Sequence, residues 1–330
     1  VRPTPQALLR RARLPTFLVT NPVHVRYLTG CFSGSGEVLV TPRRFFLFVD
    51  DFTRPLADRT ARTGVSVRSV RDLPRMLETI RRCGCEAEAV TVQEKASWRR
   101  AFPRTKFIPV AGLVQAFRRT KETDEIANIR RALKITDELL RRVPASLRRS
   151  TTEERLARDL EIWALELGAD GLAFPPIVAF GTNTSFPHHA ATSRKLKRGH
   201  VVQIDVGAKY RGYCADRSEV FFTAKQTPLQ KNVYACLRET QRTAIKRAKE
   251  GTTTHELDDL SRAIIRRHGF EEGILHSLGH GVGLEIHEGV TLSKRKPSAP
   301  LLSHEVITVE PGLYFPGRFG MRLEQTVFVA

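Results

Sequence analysis

The stretch His200-Val201-Val202-Gln203-Ile204-Asp205-Val206-Gly207 runs through the turn-like Lys209-Tyr210-Arg211-Gly212 and returns as Tyr213-Cys214-Ala215-Asp216. Side chains alternate along a strand, so Val202, Ile204 and Val206 face one way while Gln203 and Asp205 face the other. An aspartate within an apolar strand is costly unless something neutralises it. The returning segment can bring Asp216 to the same end of the sheet face. Two unpaired carboxylates that close repel each other, and a metal pair removes the repulsion. Taken singly, either aspartate reads equally well as a turn or cap residue.

The carboxy-terminal strands repeat the pattern. In Val306-Ile307-Thr308-Val309-Glu310-Pro311-Gly312, Val306, Thr308 and Glu310 share a face, and Pro311 ends the strand just after the acid. In Met321-Arg322-Leu323-Glu324-Gln325-Thr326, Arg322, Glu324 and Thr326 share a face, although a buried Glu–Arg pair would account for that strand alone. Between them lies His276-Ser277-Leu278-Gly279-His280-Gly281-Val282-Gly283-Leu284-Glu285-Ile286-His287-Glu288. Its glycines exclude a helical His-x-x-x-His pair, and histidines bunched with glycine read as the wall of a site. Four carboxylates and one histidine suit two hard or borderline cations better than a structural zinc, which wants thiolate and imidazole. Bridging carboxylates hold such a pair about 3.5–4 Å apart, with a water between them that becomes a nucleophile near neutral pH. The chemistry implied is hydrolytic.

Outward from this core, the chain reads as two α/β units. Thr16–Thr20, Glu37–Val40, Phe45–Val49, Val65–Val70, Ala89–Val92 and Phe107–Val110 read as strands, Leu73–Arg82 as a helix, and Asn21–Gly36 as a Pro/Gly-punctuated connection. This alternation favours a mixed or parallel sheet. A boundary near Thr120 separates residues 1–119 from 120–330. Beyond it, Ile126, Ile129, Leu133, Thr136 and Leu140 recur at helical spacing. A second helix opens at a Thr151/Glu154 capping box and ends at Gly168; others start at Thr227-Pro228 and at Thr253/Glu256. Strands are expected at His200–Gly207, Cys214–Phe222, Glu305–Glu310 and Arg322–Val329, giving helices over a mostly antiparallel sheet.

The 330 residues carry a net charge of +19, which invites a nucleic-acid reading. Residues 1–119 hold 22 Lys/Arg against 9 Asp/Glu, and the remainder 32 against 26, so most of the excess lies in the first unit. Its arginine pairs are scattered and lack interleaved aromatics, which argues for a solvated surface instead. No apolar run is long enough for a spanning helix, and the first fourteen residues lack the apolar stretch of a secretory signal. Five cysteines without a Cys-x-x-Cys spacing fit reduced thiols in a cytoplasmic protein.

Asp205-Val206-Gly207 with Gly212–Asp216, then Gly279–Leu284 with His287-Glu288, then Val309–Tyr314 and Gly320–Glu324, in this order and spacing, resemble the pita-bread metallopeptidases, specifically the Xaa-Pro aminopeptidase and Xaa-Pro dipeptidase branch. Asn21-Pro22-Val23-His24-Val25-Arg26-Tyr27-Leu28-Thr29-Gly30 resembles the creatinase-type amino-terminal domain. The resemblance implies an α+β chain: a carboxy-terminal pita-bread domain preceded by a smaller α/β creatinase-like one. It implies metal ligands Asp205, Asp216, His280, Glu310 and Glu324, with Glu310 also the acid/base for the bridging water. His188, chosen over His189, and His287 would serve catalysis. His276 would line the substrate pocket, and Arg322 would stand on the substrate side and steady the carboxylates beside it. Two divalent ions follow, manganese first, with cobalt, zinc or iron able to replace it. A proline-containing peptide or dipeptide is the implied substrate, and a homodimer the implied assembly. The family pattern Asp-x-Thr-Arg-Thr reads Asp216-Arg217-Ser218-Glu219-Val220 here, and Gln325 stands where Asp is common. The alternative, an inactive relative acting as a binding protein, would normally have lost ligands; all five stand.

Overall fold

The computed structural model describes residues 2–31, 35–148 and 150–330, so part of the connection expected at Asn21–Gly36 lies outside the described residues. The chain divides into two compact units, Val1–Arg118 and Arg119–Ala330.

The first unit comprises α1 (Pro5–Ala12), β1 (Phe17–Val19), α2 (Pro22–Thr29), β2 (Glu37–Val40), β3 (Phe45–Val49), α3 (Arg54–Thr60), β4 (Val65–Ser69), α4 (Leu73–Glu78), β5 (Arg82–Glu86), α5 (Val92–Ala101), β6 (Lys106–Val110) and α6 (Leu113–Arg118). Its mixed sheet has the order β4-β3-β2-β1-β5-β6. Leu18, Leu39, Phe48, Cys83, Cys85 and Phe107 bury one core with Leu73 and Leu77 of α4.

Two sequence expectations are corrected here. Ala89–Val92 is not a strand: Thr91 Oγ1 accepts the Glu94 amide at 3.1 Å while Glu94 accepts the Thr91 amide at 2.8 Å, and this reciprocal cap starts α5. The strand is instead β5, Arg82-Cys83-Gly84-Cys85-Glu86, which cuts short the helix expected through Arg82. Gly84 is required there, since a Cβ would meet the Phe17 ring at 2.3 Å. The connection after Asn21 also folds further than its punctuation suggests, because Asn21 Oδ1 caps α2 through the Val23 amide at 2.8 Å, with Pro22 at the first helical position.

The second unit comprises α7 (Thr123–Ser146), α8 (Glu153–Glu166), β7 (Gly171–Leu172), β8 (Ile177–Phe180), β9 (Val201–Val206), β10 (Ala208–Tyr210), β11 (Tyr213–Cys214), β12 (Arg217–Phe222), α9 (Pro228–Arg247), α10 (Thr254–Arg267), β13 (Gly279–Gly281), β14 (Glu288–Leu292), β15 (Val306–Val309), β16 (Gly312–Phe315), β17 (Phe319–Arg322) and β18 (Gln325–Phe328). Its antiparallel sheets run β12-β9-β8, β11-β10-β7 and β14-β13-β15-β18, with the hairpin β16-β17. Val202, Ile204 and Val206 of β9 bury their shared face against Leu139, Leu140 and Val143 of α7 and Leu156 and Leu160 of α8. That burial turns Asp205 to the opposite face. Val233, Cys236 and Leu237 of α9 pack with Val201, Leu313 and Met321. Among the described residues no helix is long and apolar enough to cross a membrane.

The long strands expected around the acids are interrupted at the acids. Asp216 lies between β11 and β12, Glu310 one residue beyond β15, and Glu324 between β17 and β18. Their neighbourhood leaves the regular ladder because its backbone groups bond elsewhere: the Glu324 amide to Ser218 O at 3.1 Å and the Glu310 amide to Leu278 O at 2.8 Å. The cap of α8 is Thr152, whose hydroxyl accepts the Arg155 amide at 3.2 Å, and not the expected Thr151/Glu154 box. This register turns Glu153 inward.

In the first unit the Glu86 carboxylate accepts the Thr20 amide at 2.7 Å and the Asn21 amide at 2.8 Å, and bonds His24 Nδ1. Breaking a buried pair leaves its partners uncompensated, at about 3–5 kcal/mol. Glu86→Ala is therefore expected to lower the urea midpoint reported by Trp98 fluorescence in a Trp163→Phe background. An unchanged midpoint would remove Glu86 from the framework of this unit.

Candidate metal centre

Asp205 stands on β9 directly opposite Ser218 of β12 and Ile177 of β8. Asp216 precedes β12. On the neighbouring sheet Val309 pairs with Gln325, so the residues flanking that last pair, Glu310 and Glu324, emerge at one end of the β15–β18 ladder. His280 lies on β13, where its amide donates to Thr308 Oγ1 at 3.0 Å. Its ladder shifts register between His280 and Gly281. Gly281 admits no side chain there: a Cβ would stand 2.1 Å from the Glu288 carbonyl oxygen.

These elements converge. One oxygen each of Asp216 and Glu324 and a ring nitrogen of His280 all lie within 4.8 Å of one another. His280 Nε2 is 3.6 Å from Asp216 Oδ2 and 3.5 Å from Glu310 Oε1. Its Nδ1 stands 3.1 Å from the Gly281 carbonyl, an acceptor only, which assigns the ring proton to Nδ1. The Nε2 lone pair therefore faces carboxylate oxygens. Burial, then the neighbouring His287, pushes the His280 pKa down to about 4, so the ring does not relieve this by protonating near neutral pH.

The carboxylates strain against one another in the same way. Burial first, then Glu324, Asp205 and Glu310, raise the Asp216 pKa well above the carboxylate range. Burial, then Glu310 and Asp205, do the same to Glu324. Glu310 is pushed up to about 7 by burial and Asp205, against the opposing pull of Arg322. Asp205 Oδ1, Asp216 Oδ1 and Glu324 Oε1 are buried and have no hydrogen-bond partner among the described residues. Buried oxygens facing each other and a ring lone pair are the donor set of a cation site. Asp205, Asp216, His280, Glu310 and Glu324 fit divalent metal ions on these grounds.

Arg322, at the end of β17, is the chain's own countercharge. It bonds Asp205 Oδ2 through Nη2, donates from Nε to Ser218 Oγ at 3.0 Å, and donates from Nη1 to Tyr314 Oη at 2.6 Å and to the Pro187 carbonyl at 3.3 Å. Its Nε lies 3.9 Å from Glu310 Oε2. The backbone of Arg322 is held by one side chain: Gln203 Oε1 accepts its amide at 2.7 Å and Gln203 Nε2 donates to its carbonyl at 3.2 Å. Ser218 also donates to Glu324 Oε2 at 2.9 Å.

The other histidines expected at the site gather on the same side. The His287 ring meets the His280 ring edge-on at 4.1 Å between centroids. His276 Nε2 bonds Tyr314 Oη at 2.9 Å, and burial, then Arg322, lowers its pKa to about 4. His188 is near enough to both His276 and His287 to depress their protonation. His189 turns away, to Glu153. Sequence reasoning gave no role to Tyr314, Gln203 or Glu153. Tyr314 sits in the quoted Gly312-Leu313-Tyr314 segment, and Gln203 is the other polar residue on the Asp205 face of β9, so both left a trace in the sequence.

The family model described as Metallopeptidase family M24 matches residues 127–330, and that of the Creatinase/Prolidase N-terminal domain matches residues 4–120. An uncharacterized peptidase of Bacillus subtilis, YqhT, is 31% identical over 319 residues, covering 94% of this chain and 90% of that protein. A Xaa-Pro dipeptidase of Pyrococcus furiosus is 29% identical over 313 residues, covering 94% and 89%. Among solved structures, an X-Pro aminopeptidase from Thermotoga maritima superposes with a TM-score of 0.89 at 33% identity, covering 97% of this chain and 95% of the other. A Xaa-Pro dipeptidase from Bacillus anthracis gives 0.93 at 29% identity, covering 99% and 93%. The chain is a member of metallopeptidase family M24 with a creatinase/prolidase-type amino-terminal domain. It has the pita-bread fold expected from its motifs.

Without a cation, Asp216, Glu310 and Glu324 bind protons more tightly in the folded chain than in the unfolded one. Their contribution to stability is then present at acid pH and lost as pH rises through their folded values, about 7 for Glu310. Chelated protein is expected to melt at progressively lower temperature between pH 5 and pH 8 (roughly the window between unfolded and folded carboxyl values), and added Mn²⁺ is expected to reverse the loss. Equal melting profiles with and without Mn²⁺ at the upper pH would refute a cation site here.

Proposed function

We propose that the chain is an exopeptidase that cleaves the Xaa-Pro bond of peptides or dipeptides, with two divalent cations held by Asp205, Asp216, His280, Glu310 and Glu324. The observation that carries the reading is the set of buried carboxylate oxygens facing one another and the His280 lone pair, a donor set suited to divalent cations. The choice of substrate is supported by relatives named Xaa-Pro dipeptidase and X-Pro aminopeptidase. Manganese is the proposed metal, since four of the five donors are carboxylates. Residues 120–330 form the catalytic domain in this reading and residues 1–119 carry no ligand.

When bound, the cations polarise the scissile carbonyl and acidify a water. Glu310 takes the proton from the attacking water and returns it as the bond breaks. His287, solvent-exposed beside His280, hydrogen-bonds the tetrahedral oxygen or relays that proton to the departing prolyl nitrogen. His188 contacts the substrate from the opposite loop. His276, tied to Tyr314, lines the pocket, and Arg322 holds Asp205 and Glu310 in place while its remaining donors fix Tyr314 and Pro187. The buried thiols Cys83, Cys85 and Cys236 suit a cytoplasmic enzyme. The assembly we propose is a homodimer, as the family resemblance implies; a mass near the monomer's 37.2 kDa by light scattering would exclude it.

Asp205→Asn and Glu324→Gln are each expected to lose bound metal and abolish hydrolysis of Xaa-Pro dipeptides and Xaa-Pro-Yaa peptides while the far-ultraviolet spectrum is retained. His188→Ala and His287→Ala are expected to keep full metal content and lose about 10²–10⁴-fold in turnover each. Metal analysis and turnover on the same samples separate the two groups. A metal-free His287→Ala protein would make His287 a ligand and break the partition.

A further inference from the structure

The Glu153 side chain is fully buried in the second unit, and among the described residues none of its hydrogen bonds goes to a proposed cation ligand. Glu153 Oε1 accepts the Phe180 amide at 2.7 Å and Asn183 Nδ2 at 2.9 Å. Glu153 Oε2 accepts the Thr192 amide at 3.0 Å, the Thr192 hydroxyl at 2.6 Å, and His189 Nε2 at 2.8 Å. The inward turn of Glu153 follows from the Thr152 cap, and its charge sits at the amino end of α8, where the helix dipole favours an anion. Burial alone would raise its pKa, but the bonds from Thr192, His189, Phe180 and Asn183 outweigh that and hold it below the usual carboxylate range.

Every one of these donors lies on the segment 180–192, which carries His188. The same segment is fixed from the other side: the Gly320 amide donates to Thr184 Oγ1 at 2.9 Å, and the Pro187 carbonyl accepts Arg322 Nη1. His188 makes no side-chain hydrogen bond among the described residues. Its ring is placed by its backbone, and that backbone is pinned at Pro187 by Arg322 and at His189 by Glu153.

We propose that Glu153 and His189 form a positioning pair for His188. They hold the loop so that the His188 ring meets the substrate, without touching the substrate themselves. This inference rests on the Xaa-Pro reading of the site and deepens it. The carboxylate–imidazole bond fixes the peptide unit joining His188 to His189, and so sets the direction in which His188 leaves the chain. A misplacement near 1 Å is enough to cost about 10²-fold in rate.

His189→Leu keeps bulk and removes the bond; Glu153→Gln keeps shape and turns one acceptor into a donor. Both are expected to lower kcat on an Xaa-Pro dipeptide roughly 10- to 100-fold, with KM and bound metal unchanged. Because the effect runs through His188, His189→Leu should cost almost nothing further in a His188→Ala background. An independent readout is the His188 ring resonance in protein labelled with ¹³C at histidine Cε1. It should broaden or split in His189→Leu while the resonance of His255, whose ring is bonded to the Lys296 carbonyl, stays fixed. The proposal is overturned if the His188 resonance is indifferent to His189→Leu, or if that change costs the same factor with and without His188. Should Glu153→Gln fail to fold, the His189→Leu measurements decide alone. If the wild-type protein leaves Xaa-Pro peptides intact while the His188 resonance still responds, the substrate reading falls and the positioning role stands.

Discussion

Mutual repulsion among Asp205, Asp216, Glu310 and Glu324 is the constraint to which the second unit is built. Three buried acids and the partly buried Glu310 are gathered around one guanidinium, that of Arg322, and the protein answers with geometry as much as with charge. Breaks in the ladders let Asp216, Glu310 and Glu324 leave their strands at the required point, while Asp205 stays within β9. Ser218 gives a hydroxyl to Glu324 and receives one donor of Arg322. What the chain leaves uncompensated is what a cation supplies, so affinity for metal and cost of burial are two views of one quantity.

The histidines divide the surroundings of this charge by the bonds on their second nitrogens. His280 gives its Nδ1 proton to a backbone carbonyl and keeps Nε2 for the centre. His276 is tied to Tyr314, and through it to the guanidinium that holds Asp205. His189 is committed to a carboxylate that belongs to a helix end. Adjacent residues of one type thus have different tasks because the elements behind them differ, which a spacing pattern alone does not express.

Much of this was legible in the sequence wherever periodicity and chemistry agreed. Val202, Ile204 and Val206 had to share a buried face, so Asp205 had to share the other, and the structure has β9 that way round. The capping pair Thr253/Glu256 and the Thr227-Pro228 start were local signals that tertiary packing left intact. Where a weak strand pattern competed with a reciprocal cap, as at Thr91 and Glu94, the cap won. Strand β5 was missed because Arg82-Cys83-Gly84-Cys85-Glu86 has little intrinsic strand preference; the close approach of Phe17 over Gly84, from a distant part of the chain, makes it one. Glu153 was silent for a related reason: its donors come from residues 27 to 39 positions away, and a single shift in the cap decides whether it faces them.

The dual bond from the Gln203 side chain to the Arg322 peptide bears on how the chain comes together in time. That seam joins residues 119 positions apart, and Ser218 and Glu324 meet across 106. During synthesis the first two acids emerge long before the arginine and the last acid that complete their surroundings. Until then β9 and β12 pair with each other and with β8, and Asp205 and Asp216 lack the guanidinium that compensates them. The centre is consequently closed by the last strands to arrive, so contacts of high sequence separation, slow to form, gate the acquisition of metal. A ribosome that stops short of β17 leaves a chain with its helices largely assembled and no place for an ion.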